Sequence, residues 1–318
     1  MQKRKVVAKA NAKIILLGEH AVVYNQPAIA IPLKSSKVFV EISERKDYSF
    51  IESSVYTGRL RKADKSIEGL KKVIEEVVKD LNKPLVKLNI KIHSNIPKAR
   101  GMGSSAAVSA ALVKALYKYF KISLTKEKLS RWVNLSESFV HKKYSGIDTA
   151  ITVYKKPIYF SEEKEIKKIN IDLSGYLLVS DSGLEASTKE AVLKVAKLKE
   201  EKPEIFKKAV EEIGILVNEA LVKIKENDII SLGAIFNLNQ KQLQALGVSS
   251  QTLDDLIKIA NDNNALGSKL SGGGLGGCVI TLCKSKEDAK NIAKKHLEYG
   301  IKDYWIMSLK KEGDNYQS

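Results

Sequence analysis

Two glycine-rich segments have residue types and spacing that suit the binding of phosphate. The first is Gly101-Met102-Gly103-Ser104-Ser105, between a predicted strand and a predicted helix. Glycines let the backbone turn tightly and approach an anion, and the first turn of a helix offers unpaired N–H groups at the positive end of its dipole. Hydroxyls here can cap the helix, contact phosphate or ligate Mg²⁺. An ordinary glycine turn with a serine cap fits the same spacing, so the residues alone leave both interpretations open.

The first loop is not one of the common nucleotide-binding motifs. The sequence has no Gly-x-x-x-x-Gly-Lys-[Ser/Thr], and the loop lacks the third glycine of Gly-x-Gly-x-x-Gly. The second segment, Gly272-Gly273-Gly274-Leu275-Gly276-Gly277, has five glycines in six residues. A hairpin needs only one or two, and the others cost conformational entropy. The excess predicts backbone that packs closely against a ligand or against the first loop.

A small set of charged residues has the types that phosphoryl transfer requires. That chemistry needs cations at the moving phosphoryl group, a carboxylate for Mg²⁺ and a group that takes the proton of the acceptor. Lys13 stands between two apolar runs, and Glu19-His20 interrupts another. Glu137 lies on a predicted helix, and Asp148 follows eleven residues later, in a predicted break. Taken alone, each residue is explained more simply by a structural role, such as a solvated strand end or a turn with a capping acid.

The apolar pattern of the first half predicts mixed strands followed by two helices. Apolar or alternating runs predict strands at 6–8, 14–17, 28–33, 37–43 and 86–93. Helical spacing predicts a helix over 67–81, and two more over 104–121 and 125–142, the first capped by Ser104 or Ser105. The segment 150–159 is predicted to be extended.

The second half has the order strand, helices, strand, strand, helix, strand, which is typical of an α+β domain. Its predicted strands are 176–180, 268–271, 278–282 and 304–309. Between 188 and 263 the pattern is almost entirely helical, with breaks at Pro203, Asn227 and Gly247, and a further helix is predicted over 286–299. A charged, weakly patterned stretch before residue 172 predicts two domains, 1–170 and 171–318.

Composition narrows the class of protein. The chain has 318 residues and a net charge of +17, which suits either nucleic acid or small anionic substrates. Its lysines alternate with glutamates along helices and form no compact basic block with aromatics, so no nucleic-acid partner is predicted. No membrane-length apolar run occurs, and the basic N-terminus does not have the pattern of a signal peptide. A cytoplasmic protein without a membrane partner is expected. Cys278 and Cys283 are predicted to be small buried residues, not a zinc site.

Three stretches together resemble the motifs of the GHMP kinases, a superfamily that includes galactokinase, homoserine kinase, mevalonate kinase and phosphomevalonate kinase. They are residues 13–24, 97–107 and 269–278, in the expected order over nearly the whole chain. Within the superfamily, Gly18-Glu19-His20-Ala21-Val22-Val23 resembles mevalonate kinases, whereas galactokinases continue with Thr-Asp and phosphomevalonate kinases tend to Gly-Glu-Tyr. Two further stretches, Ser187-Thr188-Lys189 and residues 239–248, also resemble mevalonate kinases. The length of the chain suits the compact archaeal type of that enzyme.

The resemblance implies an α+β fold of two domains with the active site in the cleft between them. The N-terminal domain would be mixed α/β with a left-handed βαβ unit, and the C-terminal domain would be ferredoxin-like. The implied reaction is ATP-dependent phosphorylation of (R)-mevalonate at the C5 hydroxyl, giving 5-phosphomevalonate on the route to isoprenoids. Homodimers are common in the family, so a homodimer is expected.

The resemblance also implies residue roles. Asp148 would orient or deprotonate the C5 hydroxyl, Lys13 would hold Asp148 ionised and stabilise the phosphoryl group, and Ser105 and Glu137 would ligate Mg²⁺. The implied ATP-binding residues are Pro97, Lys98, Ala99, Arg100, Gly101, Met102, Gly103, Ser104 and Ser105. The implied mevalonate-binding residues are Glu19, His20, Thr188 and Gly273.

Some positions depart from the family pattern. Ala12 and Ala99 stand where family members often have glycine, and Leu275 interrupts the third glycine motif. These changes remove no chemical group that the reaction needs, although alanine allows the backbone less freedom than glycine. Another kinase of the superfamily, such as a mevalonate 3-kinase, and a non-catalytic ligand sensor on the same fold remain the alternative functions.

Overall fold

A computed structural model gives the fold of the chain. It describes residues 4–83, 87–140, 146–161, 163, 165–186 and 188–310. The strands are β1 (Lys5–Leu17), β2 (Ala28–Glu44), β3 (Phe50–Glu52), β4 (Thr57–Arg59), β5 (Leu88–Ser94), β6 (Ile158–Phe160), β7 (Ile166–Lys168), β8 (Tyr176–Asp181), β9 (Gly267–Ser271), β10 (Cys278–Cys283) and β11 (Asp303–Ser308). The α-helices are α1 (Glu68–Asp80), α2 (Ser104–Phe120), α3 (Lys126–Val140), α4 (Ile147–Tyr154), α5 (Thr188–Glu201), α6 (Pro203–Lys225), α7 (Ile229–Ala245), α8 (Gln251–Asn261) and α9 (Lys286–Tyr299).

The chain divides into two compact units, each built from several segments. The first unit comprises residues 1–13, 32–97 and 103–155, and the second comprises 14–31, 98–102 and 156–318. Strands β1 and β2 contribute residues to both units, as does the loop before α2. The predicted division into two continuous domains at residue 170 stays a prediction.

The first unit joins a sheet to a layer of helices. Within it, β2 pairs antiparallel with β5, with Val38 opposite Ser94, and β5 pairs parallel with β3. The parallel strands are connected through α1, which makes them the βαβ unit that the family resemblance implies. Helix α2 packs against α1, α3 and α4, and its residues 110–113 are completely buried. The glycine loop ends at this buried helix, which fixes the position of the end of the loop.

The second unit contains a four-stranded antiparallel sheet with strand order β11-β8-β10-β9. Along the chain these strands and their helices follow the order strand, helices, strand, strand, helix, strand. That order and that sheet arrangement are those of a ferredoxin-like domain, as predicted. In this sheet Cys278, the first residue of β10, lies opposite Asp181 and Ser271, the last residues of β8 and β9. The glycine segment between β9 and β10 therefore lies at the end of the sheet where β8 ends.

The helix boundaries of the second half are confirmed. Pro203 begins α6, and both Asn227 and Gly247 adopt positive φ angles, 57° and 73°, at the breaks that they were expected to make. Local chain chemistry is enough to stop a helix at such residues. Cys278 and Cys283 are buried in β10, as predicted.

Four predictions about local structure are wrong. Residues 6–8 and 14–17 belong to one continuous strand, β1. Residues 28–33 and 37–43 belong to one continuous strand, β2, which runs through Pro32. Residues 147–154 form helix α4 where an extended segment was expected, because packing against α2 and α3 overrides the β-propensity of its Ile, Thr and Val residues. Gly103, and neither serine, occupies the N-cap of α2, so Ser104 is the first residue of that helix.

In the part of the chain that the structure describes, no helix is both long and apolar enough to cross a membrane.

Candidate active site

The first unit buries one lysine against one carboxylate. The ammonium Nζ of Lys13, on β1, lies 3.0 Å from Oδ1 of Asp148, and the two side chains are 7% and 34% exposed. Asp148 is in the first turn of α4, which begins after Gly146 with a φ of 84°. A buried ammonium group is stable only with a counter-charge. The lysine that the sequence placed awkwardly between apolar runs is therefore explained by this ion pair.

The backbone of Gly103 lies directly against the ion pair. A Cβ atom at this position would come within 2.7 Å of Cγ of Lys13 and 3.2 Å of Oδ1 of Asp148. Gly103 also has a φ of 69°. Both the lack of space for a Cβ atom and this backbone angle therefore favour glycine here. Because Gly103 is the N-cap of α2, the free N–H groups of the first helical turn begin beside the Lys13–Asp148 pair. The predicted phosphate loop and the predicted catalytic pair thus meet at one point.

Two hydrogen bonds fix the turn of α4 that carries Asp148. The hydroxyl of Thr149 donates to Oδ1 of Asn134, on α3, at 2.7 Å. The hydroxyl of Thr152 donates to the main-chain carbonyl of Asp148. Sequence reasoning missed Asn134, which stands in the polar pattern of α3 without any distinguishing signal.

The predicted metal ligands also belong to the first unit. Glu137 is 2% exposed on α3, and Ser105 is half-buried in the first turn of α2, which packs against α3. A carboxylate and a hydroxyl are hard oxygen ligands, and Mg²⁺ takes few protein ligands beside water and phosphate oxygens. Among the described residues, no three His, Cys, Asp or Glu side chains converge as a metal site. The types of these two side chains, a carboxylate and a hydroxyl, fit Mg²⁺.

The second unit contains a more deeply buried ion pair. The ammonium of Lys269 contacts Oε1 of Glu19, the two side chains are 0% and 1% exposed, and Lys269 also donates to the carbonyl of Leu270 at 2.7 Å. Burial lowers the pKa of the Lys269 ammonium, and the Glu19 carboxylate acts in the opposite direction. Sequence reasoning did not single out Lys269. No signal in the sequence marked it, because its strand reads Gly-Ser-Lys-Leu-Ser and is buried only in the folded chain.

The four residues predicted to bind mevalonate lie together in the second unit. His20 follows Glu19 with a φ of 61° and forms a hydrogen bond with the backbone of Gly273. Burial lowers the pKa of His20 to about 4, and the positive charge of Lys269 adds to this effect, so the imidazole is neutral at pH 7. Gly273 in turn contacts Thr188, since a Cβ on Gly273 would lie 2.8 Å from the Thr188 hydroxyl.

The two glycine segments pack against each other, as predicted for the second one. A Cβ on Gly272 would lie 3.0 Å from Cα of Gly101, and a Cβ on Gly101 would lie 3.1 Å from Cα of Gly272. A side chain at either position would require the opposite backbone to move by a few tenths of an ångström. Both segments belong to the second unit at this contact.

Arg100 anchors the first loop to β8. Its Nε lies 2.6 Å from Oδ1 of Asp181 and its Nη2 donates to the carbonyl of Gly183 at 3.0 Å, with both side chains of the ion pair buried. The carbonyl of Ala99 accepts from the N–H of Ala186 at 2.7 Å. Of the other predicted ATP-binding residues, Lys98 is exposed, Pro97 half-buried and Met102 buried. The guanidinium of Arg100, which the resemblance implied as an ATP-binding residue, is therefore held by a structural contact, and its partner Asp181 was not predicted.

Two of the departures from the family pattern adopt backbone conformations that favour glycine. Ala99 has a φ of 53° and Leu275 has a φ of 59°. Such angles are uncommon for residues that have a Cβ atom. Both residues therefore hold a conformation that glycine adopts more easily.

Comparison with known proteins identifies the family of the chain. Residues 68–156 match the sequence model described as GHMP kinases N terminal domain, and residues 219–302 match the one described as GHMP kinases C terminal. The chain is 33% identical to the mevalonate kinase of Pyrococcus furiosus over 304 residues, which cover 89% of this chain and 90% of that protein. The chain is a GHMP kinase.

Solved structures resemble this GHMP kinase over nearly its full length. Mevalonate kinase from methicillin-resistant Staphylococcus aureus MRSA252 is 35% identical, with a TM-score of 0.75, and the match covers 97% of this chain and 100% of that one. The L. major mevalonate kinase, solved in complex with R-mevalonate, is 25% identical with a TM-score of 0.80, and the match covers 95% and 96% of the two chains. The two-domain α+β fold predicted for the chain is confirmed.

Proposed function

We propose that this GHMP kinase transfers the γ-phosphoryl group of ATP to the C5 hydroxyl of (R)-mevalonate, giving 5-phosphomevalonate and ADP on the route to isoprenoids. One observation carries the proposal: the buried Lys13–Asp148 pair lies against Gly103, at the start of helix α2. A carboxylate, a cation and a helix N-terminus are thereby combined at one point, as phosphoryl transfer requires. The relatives named mevalonate kinase support the choice of substrate.

In the proposed mechanism, Asp148 receives the C5 hydroxyl. Its carboxylate is the more exposed member of the pair, so a substrate hydroxyl can reach it. As the bond from the C5 oxygen to the γ-phosphorus forms, the bond from that phosphorus to the leaving oxygen of ADP breaks, and the hydroxyl proton passes to Asp148. Lys13 would hold Asp148 ionised before transfer and would stabilise the negative charge of the phosphoryl group as that group moves to the C5 oxygen.

The loop before α2 would hold the triphosphate. We assign ATP contact to Pro97, Lys98, Ala99, Arg100, Gly101, Met102, Gly103, Ser104 and Ser105, with the backbone N–H groups of the first turn of α2 as the main donors. Arg100 would contribute through its backbone, because its guanidinium is held by Asp181. Ser105 and Glu137 would hold Mg²⁺, which, when bound, neutralises phosphate charge.

Glu19, His20, Thr188 and Gly273 would bind mevalonate. The neutral imidazole of His20 can donate one hydrogen bond and accept another, which suits a hydroxyl or a carboxylate of the substrate. The hydroxyl of Thr188 and the backbone of Gly273 are further polar groups in the same cluster. The buried ion pair between Glu19 and Lys269 would fix the position of Glu19 within this cluster, since neither side chain reaches solvent.

The test of this assignment is the substitution Asp148→Asn. It keeps the size of the side chain and removes the charge that accepts the proton, so kcat should fall by about 10²–10⁴-fold. The affinity for a non-hydrolysable ATP analogue, measured by calorimetry, should change less than about threefold. Asp262→Asn, an exposed carboxylate paired with Lys258, is the matched control and should leave kcat unchanged. Near-normal turnover in Asp148→Asn would show that the catalytic assignment is wrong.

The product distinguishes the alternative functions. A mevalonate 3-kinase would place the phosphate on the tertiary C3 hydroxyl, which phosphorus–carbon coupling in the NMR spectrum of the product separates from C5. A kinase of another alcohol would release ADP with a different member of a substrate panel. A ligand sensor would bind mevalonate or ATP and give no turnover with any of them.

We also propose that the enzyme acts in the cytoplasm, where its co-substrate ATP is found, and that it forms a homodimer. Large apolar side chains on three helices of the second unit support an association surface: Leu193 on α5, Ile215 on α6 and Ile230 on α7 are 60%, 52% and 67% exposed. Analytical ultracentrifugation tests the dimer. A species with the mass of one chain at micromolar concentration would contradict it.

A further inference from the structure

A cavity in the first unit is lined by three lysines that have no role in the proposed reaction. It has a volume of about 90 Å³ and lies between β1, α2 and α4. The lysines are Lys9 on β1, Lys114 on α2 and Lys155 at the C-cap of α4. Its other lining residues, all in the described part of the chain, are Ala10, Asn11, Ile151 and Thr152, and no carboxylate is among them.

Lys114 is the residue that needs a ligand. Its Nζ atom is buried, and within the described residues it has no hydrogen-bond partner. Burial and the neighbouring charge of Lys155 lower the pKa of Lys114 to about 8, so the group is still mostly charged at pH 7. An ammonium that is buried without an acceptor is costly. A bound anion would supply both the missing acceptor and the missing counter-charge.

The remaining lining residues suit a small oxyanion. Lys9 and Lys155 are exposed, so a ligand can enter between them, and the Asn11 amide is a neutral donor. Thr152 is not available as a donor, because its hydroxyl proton is directed at the carbonyl of Asp148. A water needs about 10–15 Å³ of such space, so the cavity of about 90 Å³ can hold one tetrahedral oxyanion with its donors around it.

We infer that this cavity binds a small dianionic oxyanion, either free phosphate or the phosphate group of a small metabolite, through Lys9, Lys114 and Lys155. Three ammonium groups can fully neutralise a phosphate, whose charge is about −1.5 to −2 near neutral pH. The site is separate from the ATP phosphate loop. Lys114 is ten residues beyond Ser104 on α2, which corresponds to about 15 Å along a helix.

The test uses the full-length chain with its nucleotide site filled. Radiolabelled inorganic phosphate is measured by equilibrium dialysis at constant ionic strength, with a non-hydrolysable ATP analogue, Mg²⁺ and mevalonate in excess. We expect one phosphate per chain and at least a tenfold loss of affinity in Lys114→Met, whose side chain is similar in length and uncharged. Lys118→Met is the matched control, because Lys118 lies one turn further on α2 and is exposed. It should change the affinity less than twofold.

A second variant protects the test against misfolding. If circular dichroism shows that Lys114→Met is not folded, Lys155→Met removes an exposed charge from the same cavity and should weaken phosphate binding by about threefold or more. No phosphate bound when the nucleotide site is filled, equal affinities in wild type and the cavity variants, or displacement by chloride as effectively as by sulfate would each overturn the inference.

The source of the oxyanion is decided by a competition arm. Glycerol 3-phosphate and 5-phosphomevalonate, the product of the proposed reaction, are added against the labelled phosphate. A phosphate ester that binds at least tenfold more tightly than inorganic phosphate identifies a metabolite site, and equal or weaker binding identifies a site for free phosphate. Either result can be interpreted even if mevalonate is not the substrate of the enzyme. The assay measures phosphate binding and not turnover, and it requires only that the nucleotide site is filled.

Discussion

Two buried lysine–carboxylate pairs, one in each unit, differ in how much of the carboxylate reaches solvent. Asp148 is 34% exposed beside Lys13, whereas Glu19 is 1% exposed beside Lys269. The exposed carboxylate can meet a substrate hydroxyl, and the enclosed one cannot without local opening. We therefore expect substitutions in the first pair to affect turnover most, and substitutions in the second to affect stability most.

Replacing Lys269 by methionine should destabilise the protein by about 3–5 kcal/mol, because the buried Glu19 carboxylate then loses the ammonium group with which it is paired. Urea unfolding measures this loss. The double substitution Glu19→Gln with Lys269→Met should recover a large part of it, since no isolated charge remains. Lys197→Met, in an exposed i,i+4 pair with Glu201, is the control and should cost at most about 0.5 kcal/mol. A loss below about 1 kcal/mol in Lys269→Met would contradict the importance of the pair.

His20 should make stability depend on pH. Its pKa of about 4 lies below the ordinary value of 6.5, so between these values the unfolded chain binds a proton that the folded chain does not. Stability therefore falls as pH decreases from about 6.5 to about 4, by about 3 kcal/mol from this residue. His20→Asn, which tolerates the left-handed φ of this position, should lose this dependence.

The measurement for His20 is the free energy of unfolding in urea at pH 7 and pH 4.5, for wild type and variant. The difference between the two pH values should be about 2–3 kcal/mol smaller in His20→Asn. His296 is also buried with a lowered pKa, but it is present in both proteins and cancels in the comparison. His93→Asn, on the exposed end of β5, is the control. An unchanged difference in His20→Asn would show that His20 does not titrate in this way.

At the scale of elements, the site depends on backbone contact between loops. Gly101 meets Gly272 in the second unit, and Gly103 meets the Lys13–Asp148 pair in the first. Two glycines that are two positions apart in one loop therefore belong to two separate packing arrangements. Arg100 and Asp181 add a side-chain anchor to the first of these contacts.

Gly272→Ala should destabilise the protein and reduce kcat, because the new Cβ lies 3.0 Å from Cα of Gly101 and the residue has a φ of 89°. We expect a cost of about 2–4 kcal/mol, part from the clash and part from the backbone angle. Gly247→Ala is a matched control, since Gly247 has a φ of 73° but nothing within 4 Å of the added Cβ. It should cost only the strain of the angle, about 1–2 kcal/mol. Equal losses in the two variants would show that the loop contact contributes nothing.

At the scale of the whole molecule, the dominant property is the net charge of +17. A positive field of this size attracts ATP and other anions and raises their rate of association. Most of the basic side chains lie in exposed pairs or on solvated helix faces, where salt screens them effectively.

The apparent affinity for ATP should therefore depend on ionic strength. Between about 20 and 300 mM KCl, kcat/KM for ATP should fall several-fold while kcat changes less than twofold, because screening acts on association and not on the assembled site. Steady-state kinetics measure both parameters. An equal osmolarity of sucrose is the control and should leave kcat/KM unchanged. A kcat/KM that does not respond to salt would show that long-range attraction plays no part.

The sequence by itself determined the features that depend on neighbouring residues. The helix breaks at Pro203, Asn227 and Gly247, the ferredoxin-like order of elements and the three family motifs follow from local spacing and turn chemistry. The importance of Lys13 could also be predicted, because a lysine between apolar runs needs a partner wherever that partner is.

Only the tertiary structure decided which distant residues meet. Lys269 pairs with Glu19 across 250 positions of sequence, and Arg100 pairs with Asp181 across 81. The cavity around Lys114 needs three elements to be packed before its unpaired ammonium becomes visible. Helix α4 exists because its neighbours stabilise it against its own β-propensity. Burial and charge pairing are properties of the packed chain, so spacing along the sequence could not reveal them.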